Sequence, residues 1–130
     1  MARSIVKQKS YDFALRIIKL CAWLKDQKHF EIGTQLLRSG TSIGANTEEA
    51  LAGQSRKDFL AKMSLASKEA RETNYWLRLI RDSGILDGDI MQVITDESEE
   101  LCKILTSIVK TGNAKMKSAS TKNSKPRTEN

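Results

Sequence analysis

The stretch RSGTSIGANTEEA, residues 38–50, is the most informative part of the sequence about how the chain packs. It places small and polar residues at positions where a simple helical bundle would carry leucine. Gly33, Gly40 and Gly44 recur on one side of a helix predicted over residues 31–52. Glycine inside a helix costs about 1 kcal/mol relative to alanine. The spacing of these glycines therefore predicts that another backbone comes unusually close, either within the protomer or from a neighbouring subunit.

Apolar residues on both sides of this stretch recur with helical spacing, which predicts an all-α chain. The only proline is Pro126, near the C-terminal end of the sequence. We expect four helices, over residues 10–28, 31–52, 55–83 and from Asp87 or Asp89 to Gly112. Because short connections join long amphipathic helices, the predicted fold is an antiparallel up-down-up-down four-helix bundle.

Two flanks border this single predicted domain of residues 10–112. Residues 1–9 are expected to form a flexible basic N-terminus. Residues 113–130 are rich in Ser, Thr, Asn and Lys, and they hold much of the net charge of +6. Such a segment cannot bury enough apolar surface to fold, so we expect a disordered basic tail. It would keep the protein in solution or contact nucleic acid non-specifically.

Residue types that carry catalysis are sparse. His29 is the only histidine, and no glutamate stands three residues before it, so a di-iron bundle site is excluded. Zinc would need more ligands than this histidine and the distant Cys21 and Cys102. The two cysteines are typical of buried, reduced thiols in the cytoplasm. No apolar run is long enough to cross a membrane. We therefore expect a noncatalytic cytoplasmic protein without metal, cofactor or membrane association.

The third predicted helix carries a basic flank beside its apolar stripe. Several Lys and Arg residues on one rigid face suit the phosphate backbone of nucleic acid, although such a face is often only solvated. With one residue added from the second helix, the expected phosphate-binding residues are Arg38, Lys57, Lys68, Arg71 and Arg78.

The opposite flank of that helix is apolar at both ends and acidic in the middle. A helix that packs only inside one protomer needs a single apolar stripe, so a second one indicates contact between subunits. Together with the glycine stripe, this predicts a homo-oligomer whose interface contains Gly40, Gly44, Leu65, Trp76 and Leu79.

Polar residues also occupy inward positions. Asn46 lies on the inner stripe of the second helix, and Glu97 lies on that of the fourth. Counted from a turn near Ile85, Thr73 and Glu97 are equally far away. Since a buried carboxylate must find donors, we expect a Thr73–Glu97 hydrogen bond in the core.

Four segments carry a family resemblance. They are QLLRSGTSIGAN at 35–46, EEA at 48–50, QSRKDF at 54–59 and KEARETNYWL at 68–77. With them, roughly residues 10–110 resemble the four-helix-bundle family, also called the 23S rRNA intervening-sequence protein family. That family includes the accessory variability determinant of diversity-generating retroelements, which partners a reverse transcriptase and RNA. The resemblance implies a four-helix protomer, a homopentameric ring and, in the retroelement branch, nucleic-acid binding through basic surfaces.

Two functional hypotheses follow. The first is a noncatalytic oligomeric protein that binds nucleic acid, RNA in particular, or serves as an accessory protein. The second is a protein-interaction scaffold that presents the acidic segment 96–100 to a basic partner such as a reverse transcriptase, without direct nucleic-acid contact.

Overall fold

The computed structural model describes the backbone of residues 2–123 and the side chains of residues 3 and 5–119. This part of the chain contains helices and no strand. Each helix packs against two others, α1 with α2, α2 with α3, α3 with α4 and α4 with α1. The prediction of an all-α chain with four helices is confirmed. The helices are α1 (Ala2–Asp26), α2 (Phe30–Ala52), α3 (Arg56–Ser83) and α4 (Asp89–Asn123).

Helix α1 begins well before the predicted start at Ser10. Ser10 is buried, and its hydroxyl donates to the carbonyl of Lys7 inside the helix. Val6 is fully buried because it falls on the same apolar stripe as Phe13 and Ile17. The expectation of a flexible N-terminus over residues 1–9 is therefore corrected for residues 2–9, which are helical.

Helix α4 continues past its predicted end at Gly112 to Asn123. Gly112 is buried, and a Cβ atom there would lie 2.7 Å from Leu60 Cδ1 of α3. This glycine therefore permits close packing of two helices and does not end one. The expected disordered tail is corrected for residues 113–123, which are helical, and residues 124–130 lie outside the described part of the chain.

The boundaries around α3 match the sequence prediction. Ser55 has an extended backbone, and its hydroxyl accepts a hydrogen bond from the backbone N–H of Asp58 at 3.0 Å. This satisfies one of the free donors at the helix start. At the other end Gly84 has φ 79°, a left-handed conformation that favours glycine and ends the helix.

A single apolar core runs between the four helices. Its largest fully buried side chains include Phe13 of α1, Leu36 of α2, Leu77 of α3 and Leu101 of α4. Cys21 belongs to this core, and burial raises the pKa of its thiol to about 12. The Cys21 thiol therefore stays protonated and acts as a small apolar group.

Helix α1 covers the glycine stripe of α2. A Cβ atom at Gly40 would lie 2.8 Å from Ile17 Cγ2, and one at Gly44 would lie 3.4 Å from the carbonyl oxygen of Ser10. Both glycines are buried within the protomer. The close approach is confirmed, but the assignment of Gly40 and Gly44 to an interface between subunits is wrong, because α1 of the same chain occupies that surface.

Replacement of Gly40 by alanine should destabilise the protein. Overpacking against the β-branched Ile17 costs about 1–3 kcal/mol, and the gain in helix propensity is only about 1 kcal/mol. We expect the free energy of unfolding in urea to fall by about 1 kcal/mol. Gly33→Ala is the matched control, since its nearest atom, Leu24 Cβ, lies at an ordinary 3.5 Å. The control should be neutral or stabilised, and equal losses in both variants would contradict this interpretation.

Candidate functional site

The basic flank of α3 faces solvent beside α4. Lys57, Lys68, Arg71 and Arg78 are all exposed, and none of them pairs with a carboxylate in the described part of the chain. Two of them are oriented by uncharged neighbours. The Arg71 guanidinium donates to Ser67 Oγ at 3.1 Å, and Arg78 Nε donates to the Asn74 side-chain oxygen at 2.9 Å. These four positive charges therefore remain available to an anionic partner.

Two further cations from α4 extend this surface. Lys103 and Lys110 line a shallow groove with Arg71 between α3 and α4. They are also unpaired among the described residues. Neither lysine was among the phosphate-binding residues expected from the sequence, although their spacing of seven places them on one face of a helix. We call the surface formed by Arg71, Lys103 and Lys110 the basic groove.

Arg38 does not belong to this groove. It reaches from α2 to the opposite flank of α3, where its guanidinium lies 3.4 Å from Glu69 Oε1 and also pairs with Glu72 Oε2. The same Glu72 oxygen accepts a hydrogen bond from Trp76 Nε1 at 3.1 Å. Because two carboxylates neutralise Arg38, its placement among the phosphate-binding residues is corrected. Its contacts instead join α2 to α3.

The predicted interface residues of α3 form a partly apolar ridge. Leu65 is 43% exposed and Leu79 is 39% exposed. Trp76 is half-buried, and its indole N–H donates a hydrogen bond to Glu72. These side chains remain candidates for contact between subunits.

A second exposed apolar stripe was missed on α1. Tyr11, Leu15 and Ile18 all point outward, and Ile18 is 48% exposed. Ile18 is the sequence neighbour of Ile17, whose stripe with Phe13 is buried, yet Ile18 points away from that stripe. The i, i+4, i+7 spacing of the three exposed residues is the signal in the sequence that could have distinguished this exposed stripe from the buried one.

The predicted Thr73–Glu97 hydrogen bond is wrong. Thr73 is fully buried, but it faces α2, where its hydroxyl lies 2.9 Å from Ser39 Oγ and 2.7 Å from the Glu69 carbonyl oxygen. Glu97 is half-buried on the other side of α4 and pairs with Arg16 of α1.

The level at which α3 and α4 meet is nevertheless close to the expected one. Asn74 donates to Ser98 Oγ at 2.8 Å. The contact is therefore made by the residues that directly follow Thr73 and Glu97 in the sequence. The remaining predicted inward polar residue, Asn46, is half-buried, and its amide donates to the Ser42 carbonyl of its own helix.

The acidic segment 96–100 does not form one acidic surface. Glu97 and Glu100 turn toward α1, where they pair with Arg16 and with Lys9. Ser98 is buried between them. Since these pairs neutralise two of its four carboxylates, the segment offers a basic partner less charge than its composition indicates.

Within the described residues, no group of three or more His, Cys, Asp and Glu side chains is placed to hold a metal ion. No helix in that range is long and apolar enough to span a membrane.

Protonation of Glu72 should weaken the α2–α3 contact at low pH. The hydrogen bond from Trp76, with added effects of Arg38, lowers the pKa of Glu72 below its ordinary value of 4.5. A depressed folded pKa contributes stability that is complete above the ordinary value and is lost as the pH falls through the folded pKa. Glu72→Gln should therefore cost more unfolding free energy at pH 6 than at pH 3.

Urea unfolding, followed by Trp76 fluorescence in a Trp23→Phe background, measures the loss of unfolding free energy in Glu72→Gln at each of the two pH values. Glu48→Gln is the control, since it removes an exposed carboxylate of α2 that makes no ion pair within the described range. An effect of Glu72→Gln that is equal at the two pH values would contradict the role of the ionised carboxylate.

Comparison with known proteins supports this architecture. No curated protein matches the chain. A crystal structure of a protein with unknown function from the S23 ribosomal protein family of Bacteroides thetaiotaomicron VPI-5482 is 46% identical, with a TM-score of 0.80. The match covers 85% of this chain and 99% of that one. The family model described as 23S rRNA-intervening sequence protein matches residues 2–107. This chain therefore belongs to the 23S rRNA-intervening sequence protein family.

Proposed function

We propose that this protein is a noncatalytic oligomeric nucleic-acid-binding protein, with RNA as its preferred partner. The observation that supports the proposal is the basic groove, where cations from two helices lie together without carboxylate partners in the described part of the chain. Phosphate contacts of this kind depend on charge and require no catalytic group.

An antiparallel up-down-up-down bundle is part of this proposal. Contacts between neighbouring helices support it, because residue numbers rise along one helix as they fall along the next. Lys9 pairs with Glu100 and Arg16 pairs with Glu97, and the glycine contacts between α1 and α2 follow the same order. This topology places the basic groove along one outer edge of the bundle.

We also propose that the protomers form a closed ring, with five subunits as the resemblance implies. A ring joins two different surfaces of each protomer in a head-to-tail contact. Two exposed apolar surfaces meet this requirement, the stripe of Tyr11, Leu15 and Ile18 on α1 and the ridge of Leu65 and Leu79 on α3. Within the described residues α1 and α3 each pack chiefly against α2 and α4, so the two surfaces lie on different sides of the bundle. A ring would repeat the basic groove in every subunit, so weak phosphate contacts would gain through avidity.

Charge introduced on either apolar surface should break the ring. We expect Leu15→Lys and Leu79→Lys each to yield monomers by size-exclusion chromatography with light scattering, whereas the unchanged chain elutes with the mass of five protomers. Ile90→Lys is the control, because Ile90 is exposed on α4 outside both surfaces. A monomeric unchanged chain, or a pentamer that survives both substitutions, would refute this assembly.

RNA binding should weaken steeply with salt and depend on the basic groove. Removal of Arg71 and Lys103 together should reduce the dependence of log affinity on log salt by at least about 1.4, since each contact to a single strand contributes about 0.7. Fluorescence anisotropy with a labelled single-stranded RNA at several salt concentrations measures this slope.

The charge-matched control is Lys19→Ala with Lys25→Ala, which removes two exposed cations of α1. Equal binding by the groove variant and this control would refute the proposed interface. Recovery of a basic protein partner, such as a reverse transcriptase, without nucleic acid from cytoplasmic extract would instead favour an accessory scaffold.

A further inference from the structure

A cleft of about 450 Å³ opens at the end of the protein where α2 turns into α3. All four helices contribute to its lining, with Arg3 from α1, Leu51 from α2, Arg56 and Phe59 from α3 and Lys115 from α4. Its volume falls within the range of about 300–1,000 Å³ that is typical of small-molecule sites. None of the binding, interface or buried polar residues predicted from the sequence lines this cleft.

The charge of the lining selects an anion. Three cationic side chains line the cleft, those of Arg3, Arg56 and Lys115. No carboxylate is part of the lining, and Asp58, in the first turn of α3, lies outside it. Arg56 and Lys115 have no carboxylate partner among the described residues. The first turn of α3 adds the positive end of the helix dipole. A phosphate group suits these three contributions, because Arg binds it through paired N–H groups and Lys as a point charge.

Two stacked planar groups, the Arg3 guanidinium and the Phe59 ring, also line the cleft. The Arg3 guanidinium lies over the Phe59 ring, with 4.4 Å between its carbon and the ring centroid. Nucleic-acid bases stack on aromatic rings and on guanidinium planes. Leu51 and Ile108 provide apolar contact for the rest of a ligand. The cleft therefore combines a site for a negative group with a site for a flat ring.

We propose that this cleft binds one nucleotide, with its phosphate held by Arg56 and Lys115 and its base stacked on the Arg3–Phe59 pair. The same chemistry is found in a free nucleotide and at the phosphorylated end of an RNA strand. Ser107 and Thr111 line both the cleft and the basic groove, so the two are adjacent. The RNA-end form of this inference rests on the proposed function, whereas the binding of a free nucleotide does not.

Calorimetric titration of the full chain with adenosine 5′-monophosphate tests the site directly. We expect saturable binding, with adenosine alone and inorganic phosphate alone each at least about tenfold weaker because each keeps only half of the contacts. Arg56→Gln with Lys115→Gln should weaken the nucleotide by about tenfold or more, since two charge-assisted hydrogen-bonding groups are lost. Lys19→Gln with Lys25→Gln removes the same charge from exposed positions of α1 and should change the affinity less than about twofold.

Phe59→Leu provides a variant that keeps an apolar side chain against the core. It should weaken the nucleotide about tenfold through lost stacking, yet leave the affinity for inorganic phosphate unchanged. The absence of saturable nucleotide binding at millimolar concentration would overturn the inference. Equal affinities of the Arg56/Lys115 variant and its charge-matched control would also overturn it.

RNA carrying a 5′-phosphate or a 5′-hydroxyl separates this inference from the proposed function. If the cleft receives a strand end, the phosphorylated RNA should bind more tightly, and the Arg56/Lys115 variant should lose that difference. Nucleotide binding that persists while RNA binding fails would contradict the basic groove and support the cleft. RNA binding that persists while nucleotide binding fails would contradict the cleft alone.

Discussion

The close approach of α1 to the glycine side of α2 governs how the other helices of the protomer pack. At Gly40 side-chain atoms of Ile17 occupy the space that a Cβ atom would take, and at Gly44 the carbonyl oxygen of Ser10 lies 3.4 Å from that position. Interiors are close-packed, so this spacing sets where the remaining two helices can lie. It also brings Val6 at the start of α1 into the core. The extra turns of α1 in turn place Arg3 over Phe59 at the mouth of the cleft.

Small hydroxyl side chains fix the register of neighbouring helices at positions where larger apolar side chains would increase the distance between the helices. Ser39 and Thr73 meet between α2 and α3, and Ser98 accepts a hydrogen bond from Asn74 between α3 and α4. Each hydroxyl also lies within hydrogen-bonding distance of a carbonyl in its own helix, so it is buried without the cost of an unsatisfied polar group. Side chains of this size let the helix backbones approach each other, and directed bonds prevent them from sliding. The small residues of the stretch 38–50 therefore serve packing within the protomer.

The distribution of charge separates structural ion pairs from an available surface. Acidic residues on the α2–α3 side neutralise Arg38, and those that face α1 neutralise Lys9 and Arg16. Arg71 and Lys103 make no such pairs among the described residues, although the chain carries many carboxylates. A count of charge from the sequence gives the same weight to all these residues. Only their partners distinguish a cation that joins two helices from one that can meet a phosphate.

Local periodicity and the backbone preferences of single residues were enough to predict the all-α class, the four helices, the bounds of α3 and the close approach at the glycines. The sequence also located the level at which α3 meets α4, within one residue. Tertiary structure alone decided that Gly40 faces α1, that Arg38 joins the acidic flank of α3 and that Gly112 continues its helix. These outcomes depend on how helices distant in sequence are rotated about their axes. A rotation of one residue, about 100°, moves a side chain from one neighbouring helix to another, and local periodicity does not resolve that step.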